Sequence, residues 1–257
     1  MAKNLLVMAL LLAIAQSSVG LSQEKKDEKK EPPRILCSAP LAIAPGKPII
    51  LQLRGWQLEQ AEKLHLLGVA PPLEATIKKK EKSGPPEKFE AKDAGDTLLE
   101  AEFKLPDNFS ADSVSLVVLS ATAVSQPYKL RVILADKLVL EQEPNQSLRK
   151  AQAVAAGQFV SGAIQQPRDV DVFEISGKAG QTLVVEVFAA AHGSLLDPLL
   201  TIYDSRVQLL ATADDAATRD AALTIKLPRD DSYRIVLQDA TDRGSPAHSY
   251  LLKLTLQ

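Results

Sequence analysis

Ser249–Leu256 reads SYLLKLTL, and the parity of this stretch decides the fold. Tyr250, Leu252, Leu254 and Leu256 fall on one side of an extended chain, while Leu251, Lys253 and Thr255 fall on the other. A period of two with one wholly apolar side predicts a strand of an antiparallel sheet, with one face on a core and a mixed face opposite. Further upstream, Leu223, Ile225 and Leu227 alternate in the same way with Thr224 and Lys226. Stretches 159–164, 170–175, 182–188, 199–203 and 233–237 add further short apolar runs with turn signals between them. About seven or eight such strands at short intervals form the pattern of a β-sandwich.

The first half repeats the period. Ile49, Leu51 and Leu53 alternate with Ile50, Gln52 and Arg54, and Val114, Leu116 and Val118 form a second alternating set. Stretches 98–105 and 128–134 supply further strands, with Pro45-Gly46 and Pro106-Asp107-Asn108 as turns between runs. The lysine-rich segment 78–92, which carries Gly84, Pro85 and Pro86, reads as a long solvated loop. Segment 147–156 (SLRKAQAVAA) fits either a short helix or an irregular lead-in. The fold class expected is therefore all-β, with two antiparallel β-sandwich domains at 34–136 and 137–257.

Ahead of these domains, Lys3, an apolar run and the small residues Ser17, Ser18 and Gly20 have the layout of a secretory signal peptide over 1–20, cleaved after Ala15 or Gly20. The apolar run, roughly eleven residues, is shorter than the about 20 that cross a bilayer, so no transmembrane segment is expected in the mature chain. Residues 21–33 include EKKDEKKEPP, too charged to bury a core, and read as a disordered spacer. The expected location is secreted, periplasmic or extracellular. Thirty Lys and Arg against 32 Asp and Glu leave a net charge of −2, which gives no field for recruiting nucleic acid. The single cysteine, Cys37, has no intrachain partner and reads as a buried, inert thiol.

Catalytic motifs are missing from the sequence. There is no G-x-S-x-G elbow, P-loop or dinucleotide fingerprint, and His65, His192 and His248 belong to no close zinc-ligand pair. His192-Gly193-Ser194 reads as a loop between strands; a hydrolase assembled in space would need His192, Ser194 and an acid within about 3 Å of one another. No enzyme activity is expected. Aromatic residues make up 4% of the chain, too few for an evident stacking surface, and Trp56, the only tryptophan, reads as a core residue.

The one chemical signal lies between the two domains. Glu141, Glu143 and Asn145 place three oxygen-bearing side chains on alternating positions of a proline-containing segment, and Asp169 and Asp171 open a strand that can add more. Calcium takes 6–8 such oxygens. By spacing alone, the polar surface of an interdomain linker is the simpler reading of the same residues.

Further motifs run from Glu141 to Gln257: EQEPNQSLRKAQAV, GQFVSGAI, RDVDVFEISGKAGQTLVVEV, GSLLDPLLTIYD, DSYRIVLQD and SYLLKLTL. Together they resemble the bacterial pre-peptidase C-terminal domain. The resemblance implies a jelly-roll-like, non-catalytic module found on secreted peptidases and other extracellular proteins. It also implies calcium at the linker-to-sandwich junction, with Glu141, Glu143, Asn145, Asp169 and Asp171 as ligands. Gln146 departs from the Asp or Asn usual in that family, and Asp231-Ser232-Tyr233 departs from its G-x-Y. The first domain, from PRILCSAPLAIAPGKPIILQLRGWQL to YKLRVIL, more loosely resembles an immunoglobulin-like domain of the IPT/TIG type. Two functions are consistent with this architecture. One is an extracellular binding or adhesion module contacting a protein or polymer surface; the other is an accessory partner of a secreted peptidase or other hydrolase.

Overall fold

A computed structural model describes residues 31–216 and 218–257. The predicted signal peptide, 1–20, and most of the predicted spacer lie outside the described residues. In chain order the first sandwich contains β1 (Arg34–Ala39), β2 (Ala42–Ile43), β3 (Pro48–Trp56), β4 (Lys63–Leu67), β5 (Leu73–Lys82), β6 (Thr97–Lys104), β7 (Ser113–Leu119) and β8 (Tyr128–Val132). They hydrogen-bond in the order β1-β3-β6-β5-β4-β7-β8-β2. β5 carries the sheet round on itself: its residues from Leu73 to Ala75 pair with β4, and from Thr76 onward it pairs with β6. Alternate residues of the strands face inward, so Leu51 and Leu53 of β3 meet Leu99 and Ala101 of β6 and Leu64, Leu66, Leu116 and Val118 from β4 and β7. Each leucine enclosed in this way contributes about 1.5–3 kcal/mol.

The structure corrects the expected loop over 78–92. Residues up to Lys82 belong to β5, and the remainder is an irregular stretch closed by one short helical turn at Ala91–Ala94. Lysine stems lie along the solvated face while their ammonium groups meet acids, Lys78 with Glu102 (2.5 Å) and Lys79 with Glu81 (2.8 Å). Trp56, at the end of β3, is half-buried rather than fully enclosed. Cys37 is buried, and desolvation pushes its thiol up to about 11, which fits the inert reading.

The second sandwich contains β9 (Leu138–Leu140), β10 (Gln152–Ala153), β11 (Phe159–Ala163), β12 (Val170–Gly177), β13 (Thr182–Phe188), β14 (Pro198–Tyr203), β15 (Leu209–Ala213), β16 (Ala222–Lys226), β17 (Asp231–Asp239) and β18 (Ser249–Leu256). Two five-stranded sheets form, β10-β12-β17-β14-β15 and β16-β13-β18-β11-β9. Between them lie Phe173, Leu183, Val185, Leu200, Ile202, Tyr233, Ile235 and Leu237, together with Tyr250, Leu252 and Leu254 from the apolar side of β18. Segment 147–156 forms turns and the two-residue β10 rather than a helix, because Gln152 and Ala153 pair in parallel with Phe173 and Glu174.

The sandwiches pack against each other. Leu251 joins Ala42 and Ile133 in one apolar cluster, and Phe89 sits with Leu195 and Ala247 in another. The Ser249 hydroxyl donates to the Ser38 carbonyl (3.0 Å), and the Tyr128 hydroxyl donates to the His192 carbonyl (3.2 Å). Gly193 adopts φ 83°, and a Cβ there would collide with the Leu36 carbonyl, so this approach requires glycine twice over. Among the described residues no helix is long and apolar enough to cross a membrane.

Candidate metal centre at the linker

Local pairing brings the acidic linker to the second sandwich. β9 runs parallel to β11, with Leu138, Val139 and Leu140 opposite Phe159, Val160 and Ser161. The ladder continues one step further, the Glu141 amide donating to the Ser161 carbonyl (2.9 Å). Glu141 is therefore held at the end of β11, where its Oε2 accepts the Ala163 amide at 2.9 Å. Four residues on, the Asn145 carbonyl accepts the Val172 amide (3.1 Å), pinning the linker beside β12. The segment is tied at both ends by backbone hydrogen bonds, and its side chains face one another across the gap.

Asp171 closes the group. Strand parity puts it on the inward face of β12 with Phe173 and Ile175, so a carboxylate occupies a core position at 0% exposure. The Tyr250 hydroxyl donates to its Oδ2 at 2.7 Å, and its Oδ1 has no partner. Asn145, also at 0% exposure, donates through Nδ2 to Glu141 Oε1 (3.2 Å) and leaves its own Oδ1 unpartnered. Glu143 Oε2 accepts the Asn145 amide (3.0 Å) and the Gln146 side-chain amide. Oxygens of Glu141, Glu143 and Asp171 lie within 4.8 Å of one another. Gly162 makes room for them, because a Cβ there would collide with the Glu141 carboxylate and the Tyr250 hydroxyl.

Electrostatics follow from this crowding. Burial first, then the hydrogen bond and negative charge of Glu141, push the Asp171 carboxyl up to about 9. Burial also raises Glu141, with the charge of Glu143 adding to it. The Glu141–Asp171 pair therefore keeps a proton at neutral pH. Three converging carboxylates, one with a buried oxygen that meets no donor, and the unpartnered Asn145 Oδ1 are a donor set that a hard divalent cation would satisfy, since all the atoms are oxygens and none is a sulfur or a ring nitrogen.

Four of the five ligand candidates from the sequence, Glu141, Glu143, Asn145 and Asp171, come together. Asp169 is placed differently, its two oxygens accepting the amides of Gln165 (2.8 Å) and Val170 (3.1 Å), so it shapes the turn into β12 and adds negative field to Asp171. Gln146, the departure from the family pattern, braces Glu143 through its amide. Sequence reasoning did not assign Tyr250 and Gly162 to this site; both lay within strand patterns, and no local signal marked them.

The His192–Ser194 loop is arranged differently from a catalytic pair. His192 Nε2 lies 3.5 Å from an Arg131 nitrogen, while the Ser194 hydroxyl donates to the Ala247 carbonyl (3.3 Å) and accepts the Leu196 amide (3.2 Å). Among the described residues a Ser–His side-chain hydrogen bond occurs between Ser245 Oγ and His248 Nδ1 (2.8 Å), where His248 is 1% exposed.

No family model matches the chain. It is 32% identical over 163 residues to a probable subtilase-type serine protease of Deinococcus radiodurans, a match covering 55% of this chain and 22% of that protein. The chain thus spans about a fifth of the curated relative. Among solved structures it is similar to the pre-peptidase C-terminal domain of collagenase from Bacillus anthracis, at 9% identity and TM-score 0.35, covering 45% of this chain and 100% of that one. It is also similar to a periplasmic inhibitor of g-type lysozyme from Aeromonas hydrophila, at 16% identity and TM-score 0.31, covering 47% and 96%. With TM-scores below 0.5, neither likeness says what this chain binds.

Proposed function

We propose that this chain is a secreted, non-catalytic binding protein whose second sandwich holds a calcium ion between residues 141–145 and β12. The observation that carries the reading is the buried, unpartnered Asp171 Oδ1 in a group of three carboxylates within 4.8 Å of one another, with a second unpartnered oxygen, Asn145 Oδ1, on the residue that hydrogen-bonds Glu141. Glu141, Glu143, Asn145 and Asp171 would hold the ion, with water completing the 6–8 oxygens calcium prefers. Bound there, a cation would supply positive charge to the three carboxylates, and Glu141, Glu143, Asn145 and Asp171 would then tie residues 141–145 to β12.

Thermal unfolding in calcium, magnesium and chelator tests this. For a site in the about 10⁻⁴ to 10⁻³ M range usual for extracellular modules, calcium at about tenfold over Kd stabilises by about 1.4 kcal/mol. For a chain of this size that is about 3–6 °C in melting temperature. No shift in calcium, or an equal shift with Glu143→Ala, contradicts the site.

A second reading is supported by the identity to the subtilase-type protease, namely that the chain acts as an accessory partner of a secreted peptidase. Copurification of a discrete peptidase with the chain would favour it over the general binding role.

A further inference from the structure

A cavity of about 470 Å³ opens where the two sandwiches meet, lined from the first by Tyr128, Lys129 and Arg131, from the connection by Leu134 and Lys137, and from the second by Phe159. Its size and its position between two domains are those of ligand sites in general. Its residues are separate from the acidic linker cluster.

The charge of this groove is one-sided. Lys129 and Lys137 are exposed, and among the described residues neither they nor Arg131 forms an ion pair with a carboxylate. Lys63, Lys104 and Lys253, by contrast, pair with Glu74, Asp107 and Glu186. The one acid in the lining, Asp112, accepts the Ser113 hydroxyl at 2.8 Å. Three cations against one carboxylate, over a floor that includes Leu134 at 58% exposure, call for an anionic ligand with some apolar surface.

The Phe159 ring in the lining carries the Lys253 ammonium on one face (5.9 Å), and the Arg131 guanidinium rests on the Phe188 ring outside the lining (4.7 Å). Unpaired cations around the apolar surface of Leu134 and Phe159 suit a chain that carries both carboxylates and apolar side chains, which an acidic peptide offers and a polymer of acidic sugars does not.

We propose that this groove captures an extended acidic segment of a partner protein, with carboxylates on Lys129, Arg131 and Lys137 and an apolar side chain over Leu134. This names a ligand for the binding role proposed above and rests on that role, but not on the calcium site.

Fluorescence anisotropy on the whole chain tests it, with a short labelled peptide of aspartate, glutamate and leucine as the probe. A peptide with lysine in place of each acid, polygalacturonate and inorganic phosphate complete the set. The acidic peptide is expected to bind saturably and the lysine peptide not at all, with K129E/K137E weakening capture about tenfold or more. Both side chains are exposed, so this variant folds, and K178E on the second sandwich serves as a charge-matched control that leaves capture unchanged. Asp171→Asn removes the cation site and should leave peptide capture intact, which separates failure of one site from failure of the other. The proposal is overturned if the acidic peptide does not bind, if K129E/K137E binds it as well as the parent chain does, or if polygalacturonate or phosphate displaces it at equal carboxylate or phosphate concentration.

Discussion

Asp204 and Asp171 are both wholly buried in the second sandwich, yet the fold treats them in opposite ways. Asp204 follows β14, and its oxygens accept the amides of Arg206 (2.9 Å) and Gln208 (2.8 Å) and pair with the Arg229 guanidinium. The same guanidinium reaches Asp231 at 3.1 Å. Hydrogen bonds from Ser205, then from Arg229 and the Ser232 amide, outweigh burial and hold Asp231 down at about 2. Asp171 has the Tyr250 hydroxyl and two neighbouring glutamates, and burial with the Glu141 charge pushes it up to about 9. One sandwich thus contains an acidic cluster that the chain neutralises itself and another that it leaves for something else to neutralise. Burial alone does not mark a site; a buried acid with neither a cation nor a donor on one of its oxygens does.

The comparison can be broken by experiment. The largest effect is expected from Arg229→Gln, which strips the cation from Asp204 and Asp231. It should lower the melting temperature equally in calcium and chelator, because breaking a buried pair leaves a charge that calcium at the linker does not reach. A loss of stability confined to chelator would contradict the separation of the two clusters.

Asp171→Asn should do the reverse. It removes the calcium-dependent gain of about 1.4 kcal/mol at tenfold excess ion while leaving the chelator melting temperature at or above that of the parent chain. A variant markedly less stable in chelator would show that the Asp171 carboxyl is needed structurally. Gly162→Ala should cost about 1–3 kcal/mol by pressing a methyl group against Tyr250 and Glu141, and should shrink the calcium shift in the same protein. A substitution without effect on either would remove Gly162 from the site.

The same carboxyl makes stability depend on pH. Asp171 is raised in the folded chain above its unfolded value near about 3.9. The stability this adds is complete below that value and is lost as pH rises through about 9. Melting temperature in chelator should therefore fall across this window, and Asp171→Asn should flatten the slope. A parent chain with no slope, or a variant with the same slope, would contradict the assignment.

Much of this was legible in the sequence and some was not, for physical reasons. Period-two alternation at Leu51 and Leu53, or at Tyr250 to Leu256, marks strands because a half-buried sheet has the same period. The shared parity of Asp171, Phe173 and Ile175 is enough to place the carboxylate on the inward face of β12. β5 escaped because a lysine run reads as solvent, and the acids that settle it across the ladder, Glu100 and Glu102, are set by tertiary pairing. Tyr250 and Gly162 meet Asp171 and Glu141 from strands distant in sequence, so only the register of β11 and β18 brings them in. Asp169 shared the spacing of a ligand, but its oxygens are taken by the nearby amides of Gln165 and Val170, a local competition that composition does not express.

The central claim is that the unanswered acids at the linker hold a cation, and calorimetric titration of calcium into the chelator-stripped chain tests it most directly. The account predicts saturable binding of one ion per chain, with protons released at neutral pH as the ion displaces the one on the Glu141–Asp171 pair and both signals lost in Asp171→Asn. Absence of binding at millimolar calcium, or undiminished binding by Asp171→Asn, would contradict it.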